Sequence, residues 1–295
     1  MTRFIEERRG RFGVELLCRA IGAAPSTYYA ARTRPASARA KSDAHLSEEI
    51  QRVFEANYRV YGVRKIYHQL RREGTLVGRD RVWRLMREAG LQGARRGRPK
   101  FTTKRDPSAP RPPDLVERNF TAEAPNRLWV ADFTYVRTWA GFSYVAFVED
   151  VFSRMIVGWS IATHMRTALV TEALEMAVWK RQCSVQGLVH HSDAGGQYTS
   201  VVYSEQMAAH GIAPSIGTTG DSYDNAMAES GIGLYKAELI WRQGPWRTHD
   251  QLELATLEYV DWFNYRRLHG EIGHVPPAEF EEMFAASNQE AEIKG

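Results

Sequence analysis

Three carboxylates occupy places in this sequence where a purely structural protein gains little from them. Asp132 interrupts the strand-like run LWVADFTYV, Asp193 follows the short strand-like run GLVHH, and Glu229 lies on a helix-like run that begins near DNAMAES. The sequences of both strands are typical of buried strands, where an unpaired charge is costly. No Lys or Arg is adjacent to either aspartate in the sequence. If folding brings the three together, each pair at about 4 Å repels by roughly 1 to 4 kcal/mol, which a divalent cation would relieve.

The chemistry of the three side chains favours a hard cation. Carboxylate oxygens prefer Mg²⁺ or Mn²⁺ to zinc, and three carboxylates with open coordination positions suit two-metal phosphoryl transfer. Two alternatives stay open. His190 and His191 could belong to a zinc site, although packing or hydrogen bonding also explains the pair. Glu229 could belong to a capped, solvated helix start, with Asp224 or Asn225 as the cap.

The elements that must position these carboxylates alternate between strand and helix patterns from residue 126 onward. Three runs of β-branched and aromatic residues come first, separated by Gly or polar turns, and they predict hairpin-linked strands. The later segments predict, in order, a helix after Thr167, a strand at 187–191, a helix near 200–210, a strand around 212–216, the helix with Glu229 and a long helix from Thr248. This order predicts an α/β fold in which helices flank a mixed five-stranded sheet.

The charge of the chain is divided between its two parts. Residues 1–113 hold 26 Lys+Arg against 11 Asp+Glu, a formal charge of +15, whereas the remaining residues carry −11. A positive excess of this size indicates a region that binds a polyanion such as nucleic acid. A basic solvated surface is the alternative.

Two helix pairs lie in the basic part. Residues 14–34 outline a weak helix-turn-helix in which Ser26 could cap the second helix and Tyr28 could reach DNA. A stronger pair follows, with apolar residues at i, i+3, i+4 and i+7 from Val63 and again from Val82. The second helix of that pair carries a basic stripe that suits a major groove or a phosphate backbone, although a solvated amphipathic helix would look similar. The stripe consists of Arg79, Arg81, Arg84 and Arg87.

A basic, proline-rich stretch separates the two parts of the chain. Residues 92–113 lack apolar periodicity, which predicts an extended linker that could follow a DNA backbone. Its first cations are Arg95, Arg96, Arg98 and Lys100.

Other features exclude several classes of protein. No apolar run is long enough to span a membrane, and the N-terminus lacks the apolar core of a signal peptide, so we expect a cytoplasmic protein without a membrane partner. Cys18 and Cys183 lie far apart, which argues against a disulfide framework and against a Cys-ligated zinc.

The spacing of the carboxylates is specific. Sixty residues separate Asp132 from Asp193, thirty-five separate Asp193 from Glu229, and Lys236 lies seven beyond Glu229. This pattern resembles the D,D(35)E core of retroviral integrases and bacterial transposases. The strings WVADFTYV, HSDAGGQYTS, SYDNAMAES, GLYKAELI and WFNYRRLHGEIGHVPPAEFE, together with YGVRKIYHQLRREG and VGRDRVWRLMREAGL, resemble the second-frame protein of the IS-three family of insertion sequences over nearly the whole chain.

The resemblance implies an RNase-H-like catalytic core preceded by an all-α helix-turn-helix DNA-binding region. Asp132, Asp193 and Glu229 would be the catalytic residues and would bind two Mg²⁺ ions, with Mn²⁺ as a substitute, for DNA strand cleavage and joining. Lys236 matches a residue that contacts the transposon end, and Asn225 could position substrate or orient a ligand. The implied divisions are a helix-turn-helix-like segment (1–42), a DNA-binding helix-turn-helix domain (43–91), a basic linker (92–125), the catalytic core (126–241) and a helical extension (242–295).

The resemblance also implies partners. They are DNA, as terminal inverted repeats and target, further copies of the chain on that DNA, and an upstream-frame protein with a helix-turn-helix and a leucine zipper, joined by fusion or separate. The protein would then associate with the bacterial nucleoid when bound to DNA. Ala194 stands where a longer polar residue is usual, which puts one local DNA contact in doubt. A metal-dependent nuclease and a DNA-binding regulator without activity remain alternatives.

Overall fold

A computed structural model describes residues 1–95, 116, 120–182, 185–216 and 225–294, with side chains to residue 291. Arg96, Arg98 and Lys100, predicted as DNA contacts, lie outside these residues, as does the predicted cap Asp224. The chain divides into two compact units, Met1–Arg52 and Val53–Gly295.

The first unit consists of helices around a small apolar core. Its helices are α1 (Thr2–Phe12), α2 (Val14–Ala20), α3 (Pro25–Thr33) and the first part of α4 (Ala38–Ala56). Two predictions here were wrong. Ala24 rather than Ser26 is the N-cap of α3, because Pro25 takes the first helical position, where its missing N–H costs nothing. Tyr28 is buried with Cys18 and hydrogen-bonds Glu6, so its ring serves the core instead of facing DNA.

After the last residues of α4, the second unit continues with the predicted helix pair, α5 (Val63–Arg72) and α6 (Arg79–Glu88). Ile66 and Leu70 of α5 and Val82, Leu85 and Met86 of α6 are buried, which confirms the predicted apolar faces. Gly74 and Gly90 follow the two helices with φ of 88° and 67°, a left-handed conformation that ends a helix at little cost for glycine.

Five strands form the sheet that positions the carboxylates. They are β1 (Leu128–Thr138), β2 (Gly141–Asp150), β3 (Ile156–Ala162), β4 (Val189–Ser192) and β5 (Ala213–Ile216). Their order is β3-β2-β1-β4-β5, with β1, β2 and β3 antiparallel and β1, β4 and β5 parallel. This arrangement confirms the predicted mixed five-stranded sheet of an RNase-H-like core.

Helices cover both faces of the sheet. The later helices are α7 (Thr167–Arg181), α8 (Val201–Ala209), α9 (Ala226–Tyr235), a π-helix (Lys236–Ile240), α10 (Trp241–Gln243), α11 (His249–Tyr265), a 3-10 turn (Gly270–Ile272) and α12 (Pro277–Lys294). On one face, Trp129 and Ala131 of β1 pack with Leu174 of α7. On the other, Leu128 and Val130 pack with Met227 and Ala228 of α9. Among the described residues, no helix has the length and apolarity needed to cross a bilayer.

The segment between α4 and α5 is bonded to the C-terminal part of the same unit. Trp262 of α11 donates from Nε1 to Oδ1 of Asn57 at 3.0 Å, and the Leu268 N–H donates to the Tyr61 hydroxyl at 2.8 Å. All four side chains are buried, so these bonds are shielded from water.

Candidate active site

Asp132 and Asp193 emerge where two parallel strands separate. Ala131 and Ser192 form the last pair of the β1–β4 ladder, and the next residue on each strand is one of the two aspartates. Side chains alternate along a strand, so Asp132 follows Leu128 and Val130 on the face of β1 that packs against α9. The sheet therefore brings the first two predicted carboxylates to one point.

The third carboxylate is carried to the same point by α9. Asn225, the N-cap residue of α9, donates a hydrogen bond from Nδ2 to the carbonyl oxygen of Ala131 at 3.2 Å. The Glu229 N–H in turn donates to the Asn225 carbonyl at 3.1 Å, one helical turn away. The Asn225 side chain is buried and makes no capping bond, so the structure uses it to join α9 to β1. A DNA contact by Asn225 remains a prediction.

A glycine allows α9 to lie close to the sheet. A methyl group at Gly231 would collide with the carboxylate of Glu149, a buried residue of β2. One turn further along α9, the Tyr235 ring packs edge-on against Phe147, the residue paired with Asp132 across β1 and β2. The height of Glu229 above the sheet therefore depends on Gly231.

The electrostatics show that these charged groups are neighbours. Burial, then the charge of Asp193, raises the pKa of Asp132 well above its ordinary range; Glu229 acts in the same direction and Lys236 opposes it. Burial and then Asp193 also raise the pKa of Glu229. Like charges that share a site disfavour ionisation, so the negative charges of these carboxylates destabilise the site.

Backbone donors hold the two aspartates in place. The Phe133 N–H donates to Oδ1 of Asp132 at 2.7 Å, and the Gly195 N–H donates to Oδ1 of Asp193 at 3.0 Å. Burial still raises the pKa of Asp193, although the bond from Gly195 opposes this change. Within the part of the chain that the structure describes, the second oxygen of each aspartate accepts no hydrogen bond.

Lys236 lies at the rim of the same site. It is the first residue of the π-helix that continues α9, a helix irregularity that is frequent at functional sites. Its Nζ lies 5.6 Å from the centre of the Tyr135 ring. Burial lowers the pKa of Lys236, and the charge of Asp132 opposes this shift. The ammonium group is therefore near Asp132 and half-buried.

As placed, no three His, Cys, Asp or Glu side chains of the described residues are close enough together to hold a metal ion. His190 and His191, the zinc alternative, have structural partners instead. His190 Nε2 lies 3.1 Å from the Tyr203 hydroxyl, and His191 Nδ1 lies 2.8 Å from the Ser215 hydroxyl. Both rings are buried in the sheet layer.

Tyr198 is a residue that the sequence analysis missed. Its side chain is buried, and its hydroxyl has no hydrogen-bond partner among the described residues. Burial, then the charge of Asp132, raises the pKa of Tyr198 well above its ordinary value, and Asp193 contributes in the same direction. Its place in the string HSDAGGQYTS was the available signal, and the structure adds that the phenol lies near both aspartates.

The C-terminal string contains two arginines with different environments. Arg267 is buried and pairs with Glu238 of the π-helix through bonds of 2.7 and 2.8 Å, whereas Arg266 is exposed and pairs with Asp261. Trp262 is fully buried. Arg267 and Trp262 therefore belong to the buried interior of this unit.

The predicted DNA contacts of α6 lie on its outer side. Arg79 and Arg87 are exposed, while Arg84 is half-buried and pairs with Glu88 at 3.0 Å. Arg81 is half-buried, and Arg95 beyond the helix is exposed. The stripe is a basic surface in this structure, and its contact with DNA remains a prediction.

Comparison with protein families matches two kinds of domain. The integrase core domain matches residues 122–222 and, through a second family model of the same description, residues 210–277. The HTH-like domain matches residues 41–99.

Similar proteins come from bacterial insertion sequences. A protein of insertion sequence element IS986/IS6110 from Mycobacterium tuberculosis is 52% identical over 270 residues, 90% of this chain and 97% of that protein. The transposase of IS629 from Shigella sonnei is 50% identical over 292 residues, 97% of each chain. Transposase InsF of IS3A from Escherichia coli is 30% identical over 282 residues, 94% of this chain and 97% of that protein.

Solved structures were also compared. The HTLV-2 integrase catalytic core domain in complex with magnesium aligns with a TM-score of 0.42 at 16% identity, over 55% of this chain and 99% of that one. A simian T-cell lymphotropic virus intasome chain aligns with a TM-score of 0.45 at 15% identity, over 60% of each chain. On the sequence relationships, the chain belongs to the IS-three family of insertion-sequence transposases, polynucleotidyl transferases with an integrase core domain.

Proposed function

We propose that this transposase binds the ends of its insertion sequence and catalyses Mg²⁺-dependent strand cleavage and strand transfer through Asp132, Asp193 and Glu229. The observation that carries the proposal is the common anchor of the three residues at Ala131. Asp132 follows Ala131 in the chain, Asp193 follows its ladder partner Ser192, and the helix of Glu229 is bonded to its carbonyl.

The donor set fits a hard divalent cation. All three groups offer carboxylate oxygens, which suit Mg²⁺ and its substitute Mn²⁺. Besides burial, the charge of Asp193 raises the pKa of both Asp132 and Glu229, so a cation would draw the three groups closer than they lie in the present arrangement. Two ions bound there would supply activation of the attacking oxygen and stabilisation of the leaving oxygen.

The chain's own residues bind and orient the DNA. Phe133 and Gly195 fix one oxygen of each aspartate through their backbone N–H groups, and Lys236 binds a phosphate at the rim. In the first reaction, water forms a bond to the phosphorus at the element's end, the P–O3′ bond breaks, and the 3′-OH is released. In the second, this 3′-OH attacks a target phosphodiester, and a target 3′-OH leaves.

The helix-turn-helix domain (43–91) and the basic linker (92–125) bind the terminal inverted repeats. The catalytic core (126–241), with its helical extension (242–295), performs the chemistry. The exposed cations Arg79, Arg87 and Arg95 would neutralise phosphates, and Arg81, Arg84 and Arg96, Arg98 and Lys100 would extend that contact. We further propose that several copies assemble on the two ends with the target DNA, and that an upstream-frame protein, separate or fused, joins them.

The test compares Asp132→Asn, Asp193→Asn and Glu229→Gln with the parent chain on end DNA, with and without Mg²⁺. Cleavage and joining should require Mg²⁺ and should disappear in each variant, while DNA binding persists. Undiminished strand transfer by the triple variant would refute the triad. Cut products without joined ones would indicate a nuclease, and DNA binding with neither product would indicate a regulator.

A further inference from the structure

Exposed aromatic side chains cover one face of the β1–β2 hairpin. Tyr135 is 53% exposed and Phe142 is 50% exposed, and their ring centres lie 5.7 Å apart. Tyr135 pairs with Tyr144, and Arg137 pairs with Phe142, so all four side chains project from the same face. Trp139 at the turn is 69% exposed. Large aromatic rings collected on a surface mark an interaction site. We call Tyr135, Arg137, Trp139 and Phe142 the hairpin platform.

The other face of the hairpin is buried, and this fixes the platform. Ser143 is buried, and its hydroxyl lies 3.1 Å from Nδ1 of His249 at the start of α11. The Trp139 N–H donates to the carbonyl of Trp246 at 2.9 Å. The platform rings are therefore carried by a backbone that is bonded to the core.

Cations are interleaved with the rings. Lys236 Nζ lies 5.6 Å from the Tyr135 ring centre, and the Arg247 guanidinium lies 5.6 Å from that of Trp139. Arg137 shares the platform face. Within the described parts of the chain, none of these three cations forms an ion pair with a carboxylate. Positive charge beside exposed rings is the composition of sites that track a nucleic-acid backbone and stack its bases.

The platform adjoins the carboxylates along an open strand edge. β1 pairs with β4 only as far as Ala131 and bridges Trp246 at Thr138, so in the described residues the stretch of β1 from Asp132 to Arg137 pairs with β2 alone. Tyr135 lies three residues beyond Asp132, about 10 Å along the strand, so the two side chains leave opposite faces of β1 beside its open edge. Lys236 is close to both, through its charge to Asp132 and through its contact with the Tyr135 ring. A DNA strand that crosses this edge beside Lys236 can place a phosphate at the carboxylates on one face and bases over the platform on the other.

We infer that the hairpin platform stacks unpaired nucleotides of the DNA strand that is cut beside Asp132. The inference rests on the proposed function, because it assumes that the carboxylates act on DNA. Unpaired bases fit better than an intact duplex, since a duplex keeps its base faces stacked on one another while frayed nucleotides expose theirs. Stacking is also tolerant of base identity, so the platform would hold the strand without reading its sequence.

The experiment measures binding of two end duplexes of the same sequence, one fully paired and one with a short unpaired terminus that contains 2-aminopurine. The full-length chain is used without divalent metal, so binding is measured apart from cleavage. Tyr135→Ala and Phe142→Ala should each weaken binding to the frayed duplex by about tenfold and remove the quenching of 2-aminopurine. Binding to the paired duplex should change little, and the salt dependence should stay the same because no charge is lost.

Two control variants sharpen the comparison. Tyr135→Phe keeps the ring and should bind as the parent does, whereas Trp179→Ala removes a 75% exposed aromatic of α7 outside the platform and should have no effect. Equal losses on both duplexes, or no loss in either alanine variant, would overturn the inference. Cleavage by the parent chain in Mg²⁺ is scored separately, so absence of cleavage would count against the proposed function while the binding result still decides the stacking site.

Discussion

The side-chain amide of Asn225 donates a hydrogen bond to the carbonyl oxygen of Ala131 at 3.2 Å. This bond fastens the start of α9 to β1 at the residue before Asp132. It therefore sets the distance between the helix that carries Glu229 and the strand that carries Asp132.

Asn225→Ala should lower the free energy of unfolding by about 1–3 kcal/mol, because it removes a buried hydrogen bond. The cleavage rate should fall by more than the loss of folded protein explains, because α9 loses its hydrogen bond to β1. Urea unfolding and a cleavage assay on end DNA check the two effects. If Asn225 instead contacts DNA, the variant will keep its stability and lose DNA affinity.

Gly231→Ala should destabilise the protein by about 1–3 kcal/mol, because the added methyl group meets the Glu149 carboxylate and must displace α9. Thermal unfolding provides the measurement. Gly10→Ala is the matched control, since Gly10 is also helical but has open space around its Cα. The double variant with Glu149→Ala should recover part of the loss; no difference between the two glycine variants would contradict the proposed close contact.

Breaking the buried pair Glu238–Arg267 should be costly. Glu238→Gln leaves the Arg267 guanidinium buried without its counter-charge, which we expect to lower the free energy of unfolding by about 3–5 kcal/mol at neutral pH. Asp261→Asn, which breaks the exposed pair with the neighbouring Arg266, should cost less than about 1 kcal/mol. Similar losses in the two variants would contradict the burial of the Glu238–Arg267 pair.

The same pair predicts a pH dependence. Burial alone would raise the pKa of Glu238, but the charge and hydrogen bonds of Arg267 outweigh it, and the pKa lies below the ordinary value of 4.5. The pair therefore contributes its full stability above pH 4.5 and loses it as the pH falls through the lowered pKa. Urea unfolding at a series of acidic pH values should show a steeper loss for the parent chain than for Glu238→Gln. Parallel curves would contradict this assignment.

Removing one exposed arginine of α6 should change the salt dependence of DNA binding. Arg79→Gln or Arg87→Gln should each reduce the slope of log K against log[salt] by about 0.9, the value for one phosphate contact on duplex DNA. The charge-matched control is Arg266→Gln, which removes an exposed arginine at the C-terminal end of α11. It should leave the slope unchanged. An unaltered slope in both α6 variants would show that this stripe does not lie on the DNA backbone.

The sequence predicts much of this architecture because periodicity reports which faces are apolar. The β-branched and aromatic run LWVADFTYV predicted β1 with Asp132 inside it, and the short run GLVHH predicted β4 with Asp193 directly after it. Such patterns do not show which residues from distant parts of the chain contact one another. Nothing local indicates that Arg267 pairs with Glu238, that Asn225 bonds Ala131, or that Tyr28 turns inward to Glu6, because each of these depends on how distant elements pack.

A change of ligand atom at position 132 tests directly whether Asp132 binds the catalytic metal ion. In Asp132→Cys the ligand atom becomes sulfur, which binds Mg²⁺ poorly and accepts Mn²⁺ more readily. Strand transfer on end DNA by this variant is measured in Mg²⁺ and in Mn²⁺ beside the parent chain. If Asp132 binds the metal, the variant is inactive in Mg²⁺ and regains strand transfer in Mn²⁺, while the parent chain works in both. Strand transfer by the variant in Mg²⁺ at the parent's rate would contradict metal binding by Asp132.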